Sequence, residues 1–206
     1  MKRASLLLLA LGAGLLPTTG CLSTSRPYPE KQRFVLDAPR EASAPSREGG
    51  PLLEVPPFGQ GPRLAGRQLV YRTAASEYVP DFYAEFWGPP GGLMADVVRR
   101  WLAGSGLFAG VLEPGSGLRP TFVLQGWISE LYGDYRDPAA PKAVLQLHLV
   151  LLDRRGAEPR ILLQRDYRAE ETAAAATPEA LVAAWDTGLG HVLGSFEADL
   201  RAAVAP

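Results

Sequence analysis

Hydrophobic and polar positions alternate along several segments between residues 33 and 169, and a period of two predicts β-strands. The clearest alternation, over 143–152, places four leucines on one face: Leu145, Leu147, Leu149 and Leu151. Segments 121–131 and 161–169 are also strand-like and are joined to it by short turns, which predicts an antiparallel meander. Shorter apolar runs predict further strands over 33–36, 52–55, 68–73, 78–87 and 107–112.

Two other segments have the three- and four-residue spacing of an amphipathic helix. The first runs from Leu93 to Leu102, after the helix-breaking sequence Gly88–Gly92. The second begins at Thr177–Pro178, a capping residue followed by proline at the first helical position, and its apolar stripe extends to Val204. The predicted fold class is therefore α+β: a mainly antiparallel sheet with one mid-chain helix and a long C-terminal amphipathic helix packed on it.

Three glycines interrupt the C-terminal helical stripe: Gly188, Gly190 and Gly194. Each weakens an isolated helix by about 1 kcal/mol relative to alanine. We therefore expect tertiary packing to hold this helix, with a close approach of its backbone to a neighbouring element at the glycines.

The first twenty residues are predicted to be a signal peptide rather than part of the fold. A basic start, Met1–Arg3, precedes the apolar run 6–16, which is shorter than the roughly 20 residues that a membrane span requires. The sequence Pro17-Thr18-Thr19-Gly20-Cys21 follows, and it resembles the lipobox of bacterial lipoproteins, with Thr18 where leucine is usual. That resemblance implies cleavage before Cys21, a diacylglycerol on its sulfur and an acyl chain on its amino group. An ordinary signal peptide with a coincidental cysteine is the alternative.

Composition restricts what the mature chain can do. The protein has 206 residues, 47% of them hydrophobic and 21% charged, with a net charge of −1, which is typical of a globular protein and gives no basic face for nucleic acid. A single cysteine excludes an intramolecular disulfide framework and a thiolate-rich zinc site, and two histidines leave little material for a metal centre. We predict a flexible tether over 21–32 and a single domain over 33–206, in which the Pro-, Ser- and Gly-rich segment 37–51 is a mobile loop.

Candidate catalytic residues are few, and each has an ordinary structural explanation. His148 lies opposite the leucines of its strand, where we expect a solvent-facing polar residue, with a catalytic base as the alternative. Asp186, His191 and Ser195 allow a Ser–His–Asp arrangement on paper, but Ser195 lacks the strained turn of a nucleophile. Asp134 and Asp137 occur in a turn, which favours aspartate for backbone reasons. We therefore predict no enzyme activity, no catalytic residues, no bound cofactor and no metal.

Five aromatic residues occur within the ten positions 78–87. Tyr78, Tyr83 and Trp87 are candidates for contact with lipid or a partner. Aromatic residues in a strand more often pack in a core, so this assignment is a hypothesis.

The order of these features resembles the ABC-type transport auxiliary lipoprotein family. The features are the lipobox cysteine, the strands near 33, 52 and 68, Glu85-Phe86-Trp87 before a helix, the later strands and the C-terminal helix. The resemblance implies a non-catalytic role in lipid transport across the envelope, in which the domain docks the substrate-binding protein of the MCE (mammalian cell entry) type. The permease and ATPase would be separate polypeptides, since this chain has no phosphate loop.

The resemblance also implies that the protein faces the periplasm and that it can form a homo-oligomeric ring. Leu22 after the cysteine favours the outer membrane, by similarity to enterobacterial lipoproteins. An assembly chaperone similar to the lipopolysaccharide-assembly lipoprotein, which also combines helices with a small sheet, is the alternative.

Overall fold

The computed structural model describes residues 30–40 and 42–204. The predicted signal peptide, Cys21 and most of the predicted tether lie outside the described residues. A short 3-10 helix, Pro62–Leu64, accompanies two α-helices and nine strands within the described part. The elements are β1 (Gln32–Phe34), β2 (Leu52–Glu54), β3 (Gly59–Gln60), β4 (Gln68–Arg72), β5 (Tyr78–Phe86), α1 (Pro90–Ala103), β6 (Gly110–Leu112), β7 (Phe122–Asp134), β8 (Lys142–Asp153), β9 (Arg160–Thr172) and α2 (Pro178–Ala203).

The three long strands form the predicted meander. β7 pairs antiparallel with β8, and β8 pairs antiparallel with β9. The strands are longer than predicted: β7 continues to Asp134, a residue that the sequence predicts to lie in a turn. The alternating leucines of β8 are buried on one face, while His148 lies on the other.

The strands that pair with the other edge of β7 differ from the predicted fold class. Short strands β2, β3 and β4 lie along it in succession, and all three run parallel to it. β2 also pairs parallel with β6, and β1 pairs parallel with β5, so that five of the eight strand pairs among the described residues are parallel. The sheet is mixed, and the prediction of a mainly antiparallel sheet is wrong, although the class remains α+β. Parallel pairing requires a long crossover, and the chain from β5 through α1 and β6 supplies it.

Helix α2 covers one face of the meander. The side chain of Thr177 accepts a hydrogen bond from the Ala180 N–H and so caps the helix at the predicted position. The apolar stripe is buried, and the indole of Trp185 donates to the Val144 carbonyl at 3.1 Å. A Cβ added at Gly188 would lie 3.1 Å from the Ala169 Cβ, whereas Gly190 and Gly194 face open space. The predicted close approach is therefore present only at Gly188.

Helix α1 begins three residues before the predicted apolar stripe. It starts at Pro90, because proline is accommodated in the first turn, where its missing N–H costs no hydrogen bond. Gly91 lies inside this turn and accepts from the Phe58 N–H at 3.0 Å, while its own N–H donates to Gln60 Oε1 at 2.8 Å. These bonds connect α1 to the residues around β3, an element that the sequence did not predict.

In the segment predicted to be a mobile loop, 37–51, the described residues 37–40 and 42–51 form no helix or strand but are bonded to the domain. Ala38 is buried, the Ala44 N–H donates to the Gly104 carbonyl at 2.8 Å, and the Arg47 N–H donates to the Phe108 carbonyl at 3.0 Å. Arg40 binds a carboxylate of α2. The composition of this segment, which indicated a linker, did not predict these contacts.

Candidate functional site

The three residues considered for a catalytic triad do not form one. The Ser195 hydroxyl donates to the His191 carbonyl at 3.0 Å, which is a bond within the helix and not a bond to the imidazole. His191 Nδ1 lies 2.8 Å from a carboxylate oxygen of Glu171 on β9. Asp186 accepts from the Asp37 N–H at 2.8 Å. Each side chain therefore binds a different partner.

The other polar candidates also have structural partners. His148 is half-buried on the face of the meander opposite α2, with Nδ1 2.8 Å from Asp166 and Nε2 3.2 Å from Gln164. Asp134 pairs with Arg136, whose hydrogen bond lowers the pKa of the carboxyl. No group of three or more histidine, cysteine, aspartate or glutamate residues in the described part of the chain is arranged to hold a metal ion.

A groove of about 800 Å³ lies between the 37–42 segment and the two helices. Trp101 lines it from α1, and Asp186 and Gly190 line it from α2. Burial raises the pKa of Asp186 to about 6, and the nearby Asp37 carboxylate adds to this shift. The groove is therefore lined by a carboxyl group, that of Asp186, whose pKa is about 6.

We expect Asp186→Asn to stabilise the protein at pH 7 by about 1 kcal/mol, allowing for solvent screening of a half-buried group. The asparagine oxygen still accepts from Asp37, whereas the charge that burial disfavours is removed. Because the pKa is raised in the folded state, the wild-type protein loses stability as pH rises from about 4 to about 6. Urea unfolding at pH 4 and pH 7 should therefore give a difference between variant and wild type only at the higher pH.

Glu158→Gln, at an exposed carboxylate between β8 and β9, controls for the loss of one charge. If Asp186→Asn changed the free energy of unfolding equally at both pH values, the raised pKa of Asp186 would be contradicted.

A buried carboxylate joins the 37–42 segment to both helices. Glu197 of α2 accepts two hydrogen bonds from the Arg40 guanidinium, one from the Trp101 indole at 2.8 Å and one from Arg201 at 2.6 Å. Burial opposes ionisation of Glu197, but these donors outweigh it and lower its pKa to about 2. Through these hydrogen bonds Glu197 holds Arg40 against both helices beside the groove.

A second surface lies where the described chain begins, on strands β1 and β5. Gln68 of β4 pairs with Glu85 of β5, and Val70 pairs with Pro80. Between these two pairs β4 advances by two residues and β5 by five, so β5 carries a bulge. Asp81 holds the bulge by accepting from the backbone N–H groups of Tyr83 and Ala84, at 2.7 and 2.9 Å. Phe82, within the bulge, is 62% exposed.

Basic side chains lie beside two exposed aromatic rings, those of Phe82 and Trp87. The Lys31 ammonium lies 5.6 Å from the centre of the Phe82 ring, and the Arg33 guanidinium lies 5.7 Å from the Trp87 ring. Below them, Glu85 is 4% exposed and pairs with Lys31, Arg33 and Arg67 at 3.2, 3.1 and 3.5 Å. The N-terminal edge patch is defined here as Lys31, Arg33, Val35, Arg67, Phe82 and Trp87.

The three aromatic residues singled out from the sequence occupy different environments. Tyr78 is half-buried, with its ring 5.4 Å from that of Tyr132. Tyr83 and Trp87 are exposed, and Trp87 reaches 63%. The sequence did not single out Phe82, although it lies in the same aromatic segment, nor the basic residues of the patch. The alternation of Lys31, Arg33 and Val35 with the apolar Phe34 and Leu36 was the available signal.

Comparison with known proteins identifies similar chains. The family model described as ABC-type transport auxiliary lipoprotein component matches residues 34–195. Protein XCC0632 from Xanthomonas campestris superimposes with a TM-score of 0.69 and 19% identity, covering 82% of this chain and 93% of its own. An uncharacterized protein superimposes with a TM-score of 0.64 and 16% identity, covering 83% of this chain and 99% of its own. The hypothetical protein CT253 from Chlamydia trachomatis superimposes with a TM-score of 0.53 and 12% identity, covering 76% of this chain and 98% of its own. At these identities the solved structures show a shared fold alone.

No curated protein matches the chain. Within the described residues, neither helix combines the length and the apolar character that crossing a membrane would demand.

Proposed function

The chain belongs to the ABC-type transport auxiliary lipoprotein family, and we propose from this that it is a lipid-anchored, non-catalytic component of an ABC transport system for lipids. In this proposal Cys21 carries the acyl chains and holds the domain at the periplasmic face of the outer membrane. The folded domain docks the periplasmic MCE-type protein, which connects it to a separate permease and ATPase.

The observation that carries the proposal is the family match over 34–195, which spans almost all of the described domain. The geometry does not support the Ser–His–Asp alternative, because Asp186, His191 and Ser195 each engage a different partner. The apolar run that ends at residue 16 and the small residues before Cys21 support the anchor. With two or more acyl chains, attachment is stable, since each buried methylene contributes about 0.8 kcal/mol.

Replacing the anchor residue tests the proposal. We expect the wild-type protein to incorporate palmitate, to fractionate with outer membranes and to co-purify, after cross-linking in cells, with an MCE-domain protein and its permease. Cys21→Ser removes the only thiol in the chain, so labelling, membrane residence and co-purification should all be lost. Circular dichroism of the purified variant should be unchanged, because Cys21 precedes the folded domain.

Thr18→Leu is the matched control, since it introduces the usual lipobox residue and should retain the label. Equal palmitate labelling of wild type and Cys21→Ser, or a mass spectrum showing an unmodified Cys21, would contradict the anchor. Recovery of lipopolysaccharide-assembly proteins in place of the MCE-domain protein would contradict the proposed partner.

A further inference from the structure

We propose that the N-terminal edge patch is a membrane-contact face, which lies on the phospholipid headgroup region while the protein is anchored. The inference rests on the proposed function, because the acyl chains on Cys21 bring the patch to the bilayer. It assigns lipid binding to specific side chains of the folded domain in addition to the anchor.

The bulge in β5 exposes Phe82 of the patch together with the neighbouring Tyr83. A regular strand would direct Phe82 and Tyr83 to opposite faces, but the bulge at Asp81–Ala84 leaves both side chains exposed. Their rings contact each other edge to face at 5.0 Å. The adjoining residues Ala84, Glu85 and Phe86 are buried and fix the bulge to the core. Bulges commonly redirect side chains in this way at functional surfaces.

The basic residues lie on the same face as the rings. Arg33 lies on the face of β1 opposite Phe34, which packs against the core. Lys31 and Val35 flank the strand, and Lys31 pairs with the same Glu85 carboxylate as Arg33. Val35 is 57% exposed. The Trp87 N–H donates to the carbonyl of the preceding residue, Phe34, at 2.7 Å, which places Trp87 beside this end of β1. Lys31 and Arg33 are therefore each held next to an exposed aromatic ring, that of Phe82 and that of Trp87 respectively.

The solvent-facing surface of the patch carries positively charged groups. The carboxylate of Glu85 is buried beneath three partly exposed cations, Lys31, Arg33 and Arg67, so the outer surface presents ammonium and guanidinium groups. The whole chain, in contrast, has a net charge of −1. Basic side chains beside a bilayer are attracted to anionic headgroups. Tryptophan is enriched at the membrane interface, and tryptophan and phenylalanine of interfacial protein surfaces enter the boundary between headgroups and acyl chains.

The position of the patch in the chain favours lipid over a protein as its occupant. Lys31 follows Cys21 by ten residues, and ten residues span at most about 35 Å when fully extended. An anchored Cys21 therefore keeps the patch within that distance of the bilayer, where the effective concentration of headgroups is high. Leu118, Trp127 and Ile161 are also exposed, but none of them lies on β5, the strand that pairs with β1 where the described chain begins.

Tryptophan fluorescence tests the assignment, because the two exposed tryptophans lie on different surfaces. The full-length lipidated protein is reconstituted into vesicles of phosphatidylethanolamine and phosphatidylglycerol that contain phosphatidylcholine brominated near the headgroup end of its acyl chains. We expect quenching in the wild type, loss of more than half of it in Trp87→Phe, and little change in Trp127→Phe, the matched control on β7. Replacing phosphatidylglycerol with a neutral lipid should reduce the Trp87 quenching.

The outcomes separate the two proposals. A wild-type protein that does not float with vesicles overturns the anchor, and this inference with it. A protein that floats, but whose quenching is the same in Trp87→Phe and in the wild type, overturns the membrane-contact face alone. A benzophenone side chain at position 87 identifies the occupant in cells: lipid adducts support the inference, and adducts confined to a protein overturn it.

Discussion

Replacing Glu197 with glutamine is expected to lower the free energy of unfolding by roughly 3 kcal/mol. The carboxylate is buried, and it accepts from Arg40, Trp101 and Arg201. Glutamine has nearly the same shape but no charge, and its amide nitrogen would face donors. Arg40, whose side chain is only 19% exposed, would then lose its counter-ion in a poorly solvated position. Breaking one partner of a buried pair is costly because the other charge remains uncompensated.

The expected pH dependence follows from the lowered pKa of Glu197. A carboxyl whose pKa is lower in the folded state stabilises the fold above its unfolded pKa of about 4.3. That contribution is lost as pH falls from there towards about 2. The difference between wild type and Glu197→Gln, measured by urea unfolding with circular dichroism, should therefore decrease from pH 6 to pH 3.

Glu113→Gln is the control for this experiment. Its side chain is 72% exposed and lies 3.6 Å from Arg99, so its removal should leave the unfolding midpoint unchanged. Equal midpoints for Glu197→Gln and the wild type would show that the 37–42 segment is not held by this cluster in solution.

The meander and α2 were predictable because their signals are local. A period of two over 143–152 and a period near 3.6 after Thr177 each identify an element without reference to the rest of the chain. The parallel pairs were not predictable, since they depend on where the chain re-enters the sheet. β3 is the extreme case: it has two residues, Gly59 and Gln60, and its pairing with Trp127 and Ile128 of β7 leaves no periodic signal.

The contacts of the 37–51 segment were missed for a related reason. Prolines, serines and glycines indicate a loop, and composition does not reveal where a loop is bonded. Arg40 and Glu197 are 157 residues apart, so only the folded chain shows that they meet. The pair is one of several contacts of this segment, together with the backbone bonds of Ala44 and Arg47.

The edge patch was predictable only in part. Aromatic enrichment identified the right segment, but the alternation of a regular strand cannot distinguish exposed Phe82 from buried Phe86 when a bulge lies between them. Trp87 and Tyr83 were selected and are exposed, and Tyr78 was selected and packs against Tyr132. Whether any of them contacts a partner remains a prediction that the quenching experiment tests for Trp87.

The second large effect is expected at the start of α1, where Gly91→Ala should destabilise the protein by about 3 kcal/mol. A Cβ at Gly91 would lie 2.1 Å from the carbonyl oxygen of Phe58, which is backbone and cannot rotate away. Relief of the clash would move α1 away from the chain before β3 and would weaken two hydrogen bonds, from Phe58 N–H to Gly91 and from Gly91 N–H to Gln60.

The adjacent Gly92 is the matched control, because a Cβ there would have no atom within 4 Å. Gly92→Ala should leave the free energy of unfolding unchanged or raise it by up to about 1 kcal/mol, as alanine favours helix. Both substitutions reduce the entropy of the unfolded chain to the same extent, so the difference between their urea midpoints measures the clash itself. If the two midpoints coincide, the Phe58 carbonyl is free to shift, and the close packing of α1 on the chain before β3 does not determine where α1 begins.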